Sequence, residues 1–475
     1  MKKTLVWFRQ DLRLVDNPAL HAALEQGSIL AIYILEEKKQ DYFSMGSASR
    51  WWLHHSLSKL HQSLNNQLNV YIGNAQTIIL KLIEAYKIEA VYWNRCYEPW
   101  RISEDTSIKS CLKKINIDCK SFNASLLFEP WEILKSDGMP YKVFTPFYQR
   151  GCLNAPSPRT PLGKPKKLDC IVDRCNTLSI ETLNLLPTIP WHESLEAHWT
   201  VGEKAAHKRF KDFLQKGLNH YQEGRNFPAR SNVSRLSPHL HFGEISPHVL
   251  WHTAQMEKMN AKTPLHDIEH FVRQLVWREF SYYLLYHFPE LPYKNFQRKF
   301  DRFPWQNDTS LLKSWQKGQT GYPIVDAGMR ELWQTGTMHN RVRMIVGSFL
   351  VKNLNLDWRH GAAWFWDCLV DADLANNSAG WQWIAGSGAD AAPYFRIFNP
   401  ITQGEKFDLE GIYTKRFVPE LAKLPIKYLF EPWSAPSTVL KEAGIILGET
   451  YPKPIVDLQR SRKSALEAFA SLRES

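Results

Sequence analysis

The chain has 475 residues, 44% hydrophobic and 23% charged, a composition that excludes global disorder and fits a globular protein. At roughly 100–200 residues per domain it predicts two to four domains with ample core. Lys and Arg total 59 against 48 Asp and Glu, a net charge of +11, which favours polyanionic partners. Along the first ~125 residues, strand-like and helix-like segments alternate. Thr4–Phe8 and Ile29–Leu35 are short apolar runs separated by a helical stretch ending at Gly27. Leu53, Leu57, Leu60 and Leu64 recur at helical spacing, predicting an amphipathic helix that starts near Ser47. Val70–Ile72, a helix over 75–88 and Ala90–Trp93 continue the pattern. Such alternation predicts an α/β, Rossmann-like parallel sheet covered by helices on both faces. Arg9-Gln10-Asp11-Leu12-Arg13 follows the first strand where a dinucleotide fold carries glycines, so the likeness is one of shape and not of ligand. Residues 131–200, with the stretch NAPSPRTPLGKPKK, read as an interdomain connection. From 201 to 475 the chain reads as all-α, with helices over Lys204–Leu218, Asp267–Tyr286, Pro323–Thr335 and Arg341–Leu354.

Several classes of chemistry are disfavoured. No segment has the ~20 consecutive apolar residues of a membrane helix, and MKKTLVWFRQDLR has no signal-peptide core. The seven cysteines (Cys96, Cys111, Cys119, Cys152, Cys170, Cys175, Cys368) are sparse and odd in number, as expected of reduced thiols in a cytoplasmic protein. His266 and His270 share a helical face but lack the HExxH pattern, Cys170 and Cys175 have no companion pair, and no metal site is expected. Neither a Walker A sequence nor a GxSxG elbow is present.

The 19 Trp outnumber Met (8) and Cys (7) combined. They serve either as an aromatic core or as rings that do chemistry. Five crowd one segment, Trp358, Trp364, Trp366, Trp381 and Trp383, together with Asp371, Asp373, Asn376 and Asn377. The Asp-x-Asp spacing suits a metal or pairing with Arg341 or Arg343. The basic stretch from Arg225 to Ser237 suits phosphate or is a solvated loop.

The chain resembles the photolyase/cryptochrome family over nearly its whole length. The resemblance rests on Val6-Trp7-Phe8-Arg9, Asp11-Leu12-Arg13, Ser234-Arg235-Leu236-Ser237-Pro238, Trp277-Arg278-Glu279-Phe280, Thr320-Gly321-Tyr322-Pro323, Met338-His339-Asn340-Arg341, the Asp371–Asp408 block and Glu431-Pro432-Trp433. Its wording is most similar to bacterial cyclobutane pyrimidine dimer photolyases, with a class III branch near plant cryptochromes in view. The resemblance implies an antenna domain over 1–130, the connection over 131–200 and a helical FAD-binding catalytic domain over 201–475. It assigns FAD to Tyr221, Val233, Ser234, Arg235, Leu236, Ser237, Phe271, Arg343, Asp371, Ala372, Asp373 and Asn377, with Arg343 pairing Asp371 and no metal. Asn377 faces flavin N5, where an amide accepts a hydrogen bond without adding charge. Trp381, Trp358 and Trp305 match an electron-transfer chain, and Trp364 and Trp366 are candidates to extend it.

The same resemblance implies UV-damaged DNA as partner, with a flipped dimer in the pocket. Trp277, Trp383 and Met344 form the pocket wall, and Gln274 and Asn340 supply polar contacts. Arg225, Arg278, Arg341, Arg396, Gln403 and Lys406 approach the DNA strand. Gln274 departs from the usual Glu and points to a (6-4) photolyase, whereas Asn340 and Met344 are of the cyclobutane type. Glu98-Pro99-Trp100-Arg101 departs from the better-known folate pair, leaving a second antenna chromophore, methenyltetrahydrofolate ahead of a deazaflavin. The implied activity is light-driven dimer repair by a monomer. The alternatives are a blue-light photoreceptor without repair and (6-4) repair. The short stretch after Trp433 argues against a long signalling tail.

Overall fold

The computed structural model describes residues 2–36, 44–259 and 263–472. The chain packs as two compact units, Met1–Asn219 with Ser234–Pro289, and His220–Val233 with Glu290–Ser475. This division by packing does not follow the composition changes near 130 and 200.

The first unit is built on a five-stranded parallel sheet. Its strands are β1 (Lys2–Phe8), β2 (Gly27–Leu35), β3 (Asn69–Ile72), β4 (Ala90–Asn94) and β5 (Asp118–Phe122), in the order β3-β2-β1-β4-β5. Lys2 stands opposite Gly27, Thr4 opposite Ala90, Ile32 opposite Asn69 and Ala90 opposite Asp118. β1 is buried on both faces, which is why it reads as a continuous apolar run rather than an alternating one. Between the strands lie α1 (Pro18–Gln26), α2 (Ser47–Ser63), α3 (Ala75–Tyr86) and α4 (Pro99–Lys114). Asn17 and Asn74 cap α1 and α3 by accepting from Leu20 N and Thr77 N. The leucines expected on one face of α2, Leu53, Leu57 and Leu60, are all buried. Leu5, Trp7, Val91 and Trp93 pack against Ile79 and Leu82 of α3 and Ile108 and Leu112 of α4.

Residues 131–200 have little regular structure but are not loose. Ile29 N donates to Asp169 O at 2.8 Å and Ile171 N to Ile29 O at 2.7 Å, stitching the segment along β2. The unit is completed by α5 (Glu203–Lys216), α6 (Pro247–Met259) and the long α7 (Leu265–His287).

The second unit is helical. Its main elements are α8 (Thr309–Gln316), α9 (Pro323–Thr335), α10 (Asn340–Ser348), α11 (Trp358–Cys368), α12 (Leu374–Ala385), α13 (Pro400–Phe407) and α14 (Leu458–Ser471). The helix expected over 341–354 is α10 followed by a π-helical turn, Phe349–Asn353. Trp315, Trp358 and Trp381 lie in one apolar core with Phe349, Phe365 and Leu421. Among the described residues no helix is long and apolar enough to cross a membrane.

Candidate functional site

In the second unit, α10 divides its two arginines. Residues two apart on a helix point about 200° apart. Arg343 accordingly turns towards Asp371, its Nη2 3.1 and 3.0 Å from the two carboxylate oxygens, while its Nε donates to Met338 O at 2.8 Å. Arg341 turns the other way, donating to Asn226 Oδ1 at 2.5 Å and standing 4.3 Å over the Phe407 ring. Its Nε is buried without a hydrogen-bond partner among the described residues. Burial, and after it the Arg225 charge, depress the Arg341 pKa, so an anion would be welcome there. Asn340 Nδ2 and Arg341 Nη1 both lie 4.0 Å from Met344 Sδ, which gathers three of the sequence-read residues on one helical face. Arg230 stands 4.0 Å over Phe227, Lys406 5.4 Å from Phe407, and the two Phe rings are 6.2 Å apart. The result is a basic surface interleaved with aromatic rings. Arg225 covers the buried Tyr221 at 5.6 Å.

Asp373 has a local duty that the Asp-x-Asp pattern did not announce. It caps α12, its Oδ1 accepting from Asn376 N at 2.8 Å and Asn376 Nδ2 at 2.6 Å. One turn on, Asn377 Nδ2 donates to Ala362 O at 3.0 Å, which leaves Oδ1 as the acceptor end of that amide. Ala372 is buried between the two aspartates.

Trp381 is wedged between Phe365, 4.9 Å between centroids, and Trp315 at 6.2 Å. Its ring crosses Gly361 so closely that a Cβ there would lie 2.1 Å from Trp381 Cη2. Trp358 is buried and donates to Asn295 Oδ1 at 3.0 Å. Trp305 is half-buried, 4.2 Å from Phe303. Trp364 stacks on the exposed Trp333 at 5.9 Å. Trp383 and Gln403 are half-buried, whereas Arg396 is exposed and its carbonyl accepts from the buried Lys352 Nζ at 2.9 Å. Val233 is half-buried in the short segment of this unit.

In the first unit, α7 carries Phe271, Gln274, Trp277 and Arg278. Phe271 packs on Phe213 at 5.0 Å and Phe210 at 6.1 Å. Gln274 is half-buried and, among the described residues, makes one long 3.4 Å bond, to His270 O. Trp277 lies face to face with Phe144, a residue of the 131–200 connection that no sequence motif marks. Arg278 is engaged inside its own unit, donating to Ser125 O at 2.7 Å and standing 3.4 Å from Glu279. In the Ser234–Ser237 segment, Arg235 has φ 52° and Leu236 is right-handed, at φ −93° and ψ −5°. Successive left- and right-handed residues turn their N–H groups into one concavity, a nest suited to an anion. His266 pairs with Asp267 at 3.7 Å, and no group of three metal-ligating side chains comes together among the described residues.

The first unit has a further polar cluster where the strand order turns, at the carboxyl ends of β1 and β4. Arg9 pairs with Asp105 at 2.7 Å, Gln10 Nε2 donates to Glu98 Oε1 at 3.0 Å, and Glu98 stands 3.6 Å from Arg101. Arg101 Nε, Glu98 Oε2 and Glu104 Oε2 are buried without hydrogen-bond partners among the described residues. Burial, with Glu36 alongside, pushes the Glu104 carboxyl up to about 7.

Two family models match: "DNA photolyase" over residues 4–166 and "FAD binding domain of DNA photolyase" over 271–471. A deoxyribodipyrimidine photo-lyase of Agrobacterium fabrum is 48% identical, covering 99% of this chain and 98% of its own. Cryptochrome-2 of Arabidopsis thaliana is 39% identical over 100% of this chain and 80% of its own. Among solved structures, a bacterial class III photolyase from Agrobacterium tumefaciens superposes with a TM-score of 0.96 at 47% identity, covering 100% of this chain and 98% of that one. With matches of this extent on both of its sequence-defined parts, the chain belongs to the photolyase/cryptochrome family.

Proposed function

We propose that the protein repairs cyclobutane pyrimidine dimers in DNA, using light and reduced FAD. The observation that carries this is the Asn377 amide. With its NH2 held by Ala362 O, it offers a neutral oxygen, the acceptor that suits N5–H of a fully reduced flavin. FAD held by these residues would supply a photoexcited electron for ring splitting, with no net redox change.

The chain's own residues bind and orient. In the second unit Arg343 fixes Asp371, Asp373 fixes the start of α12, and Tyr221, Val233 and Ala372 line the cofactor. In the first unit the Ser234–Ser237 nest takes phosphate and Phe271 offers an aromatic neighbour. Trp381, Trp358 and Trp305 relay electrons to reload the flavin. Arg225, Arg341, Arg396, Gln403 and Lys406 meet DNA phosphates. Arg278, tied to Ser125 O, steadies the helix that carries Trp277. In the first unit Trp277 offers the flipped lesion an aromatic face and Gln274 a base-edge bond; in the second, Trp383 and Met344 offer apolar contact and Asn340 a base-edge bond. We assign a second chromophore, a folate ahead of a deazaflavin, to the β1–β4 crevice, where Glu98, Arg101 and Glu104 gather and Arg101 Nε and Glu104 Oε2 are buried without a hydrogen bond among the described residues. In functional terms 1–130 is then the antenna domain and 201–475 the catalytic domain of a cytoplasmic monomer.

Gln274 alone favours a (6-4) lesion, whereas Asn340 and Met344, in contact on one face, favour the cyclobutane dimer. The test is repair of an oligonucleotide holding one cyclobutane thymine dimer, by reduced protein, in blue light and in darkness. Light-dependent recovery of intact thymines supports the proposal. No recovery with reduced FAD bound defeats it, and the same assay on a (6-4) lesion then separates (6-4) repair from a photoreceptor role.

A further inference from the structure

Trp277 belongs to the proposed wall of the lesion pocket, and any role for its neighbours in binding rests on that proposal. One face of its indole is already covered. Phe144 lies parallel to it, with ring centroids 3.6 Å apart and planes 5° from parallel. Tyr148 lies nearly parallel to Phe144 on its own turn, 5.9 Å away between centroids at 12°. Phe280 meets Trp277 edge-on, at 6.0 Å and 75°. No other ring touches Trp277 among the described residues, and the indole is only half-buried, whereas Phe144 is 1% exposed.

The contact is held from both sides. Phe144 opens a short helical turn, Phe144–Pro146, that runs into a π-helical turn, Phe147–Cys152. Such turns are uncommon and recur at functional sites. Phe147 packs on Tyr283 at 4.7 Å and Phe280 at 5.1 Å, and Tyr141 N donates to Tyr283 Oη at 2.9 Å. Gly151 permits the close approach: a Cβ there would lie 2.6 Å from Ile133 Cγ2.

An indole turns about χ2 in broad wells. A flat ring pressed on one face removes that freedom and leaves the other face for a planar ligand. Ordering the ring before binding lowers the cost of binding. Phenylalanine suits the buried layer because it carries no polar atom that needs a partner. We propose that Phe144 is a positioning residue for lesion binding. It sets the plane of Trp277 so that a flipped pyrimidine dimer stacks on the indole face opposite Phe144, and itself touches neither dimer nor flavin.

The test compares F144L, W277A and the double variant as flavin-loaded proteins. It measures dark affinity for dimer-containing and undamaged duplexes, and repair yield per bound dimer. F144L fills the space without a ring and is expected to weaken dimer affinity about tenfold, the upper range for an aromatic stack. Affinity for undamaged DNA and yield per bound dimer stay unchanged, and F144L adds nothing to W277A. Unchanged dimer affinity in F144L, where W277A lowers it, overturns the inference, as does a loss in F144L that simply adds to that of W277A. Unchanged dimer affinity in W277A instead overturns the wall assignment and this inference with it. Should F144L lose its flavin, F144M takes its place under the same criteria.

Discussion

At Asn377 the donor half of the amide is committed to Ala362 O, 3.0 Å away. Asn377→Asp sets a carboxylate oxygen against that carbonyl, losing a bond and adding repulsion that favours protonation of the acid. N377D is expected to keep FAD and move its light-stable redox state away from fully reduced, read from the absorbance spectrum. An unchanged spectrum removes Asn377 from this role. Gly361→Ala places a methyl 2.1 Å from Trp381 Cη2, in a ring with Phe365 and Trp315 against it. Overpacking of this kind costs about 1–3 kcal/mol, so G361A should melt earlier and photoreduce more slowly, yet still repair after chemical reduction. Equal photoreduction rates would exclude Trp381 from the relay. Much of this was readable in the sequence, because Asp371, Asp373, Asn377 and the tryptophans fall within one short block. The cap at Asp373 was readable from Asp-Leu-Ala-Asn spacing alone and was overshadowed by the Asp-x-Asp pattern. Phe144 was not readable: it stands in a Pro-rich connection, and its partner belongs to a helix much later in the chain.

Helix α7 is fastened at Glu279, whose carboxylate accepts from Leu127 N at 2.8 Å and Phe128 N at 3.4 Å. Burial pushes this carboxyl up to about 7, against the opposing pull of Arg278 and the two N–H groups. Since its ordinary value is 4.5, the folded protein holds more protons than the unfolded chain between pH ~4.5 and ~7, and this contribution to stability is lost as pH rises through that window. Glu279→Gln keeps an acceptor for Leu127 N and removes the titration. Wild type should lose stability relative to E279Q between pH 5 and 7.5 in urea unfolding, and parallel curves would place the titration elsewhere. The strands β1 to β4 and helices α2 and α3 were legible because their apolar runs and stripes are strong. β5 was not: Asp118–Phe122 is a sheet edge, half-buried at best, with Asp and Lys among its five residues. The stitching of 169–171 to Ile29 also left no mark in the sequence, since main-chain bonds need no particular side chain.

The charge of +11 gathers in part on the second unit's face of Arg225, Arg230, Arg341 and Lys406. Binding through phosphates releases counterions, so affinity should fall steeply with salt. Arg341→Ala is expected to weaken damaged and undamaged DNA alike and to reduce the salt slope by about 1. A loss confined to damaged DNA would move Arg341 from the strand to the lesion. The path of the chain through its two units also bears on synthesis. Phe210 and Phe213 of α5 pack on Phe271 of α7, and Phe271 leaves the ribosome on the order of several seconds after them at ~5–20 residues per second. Meanwhile His220–Val233 has emerged for a unit whose remaining residues begin only at Glu290. During that interval both segments offer apolar or unpaired surface to chaperones, and the order of translation favours a nascent chain that is shielded rather than one that folds piece by piece. A nick or split near residue 200, attractive from composition, would leave the sheet without α5–α7, and the two fragments are expected to recover flavin binding only when refolded together.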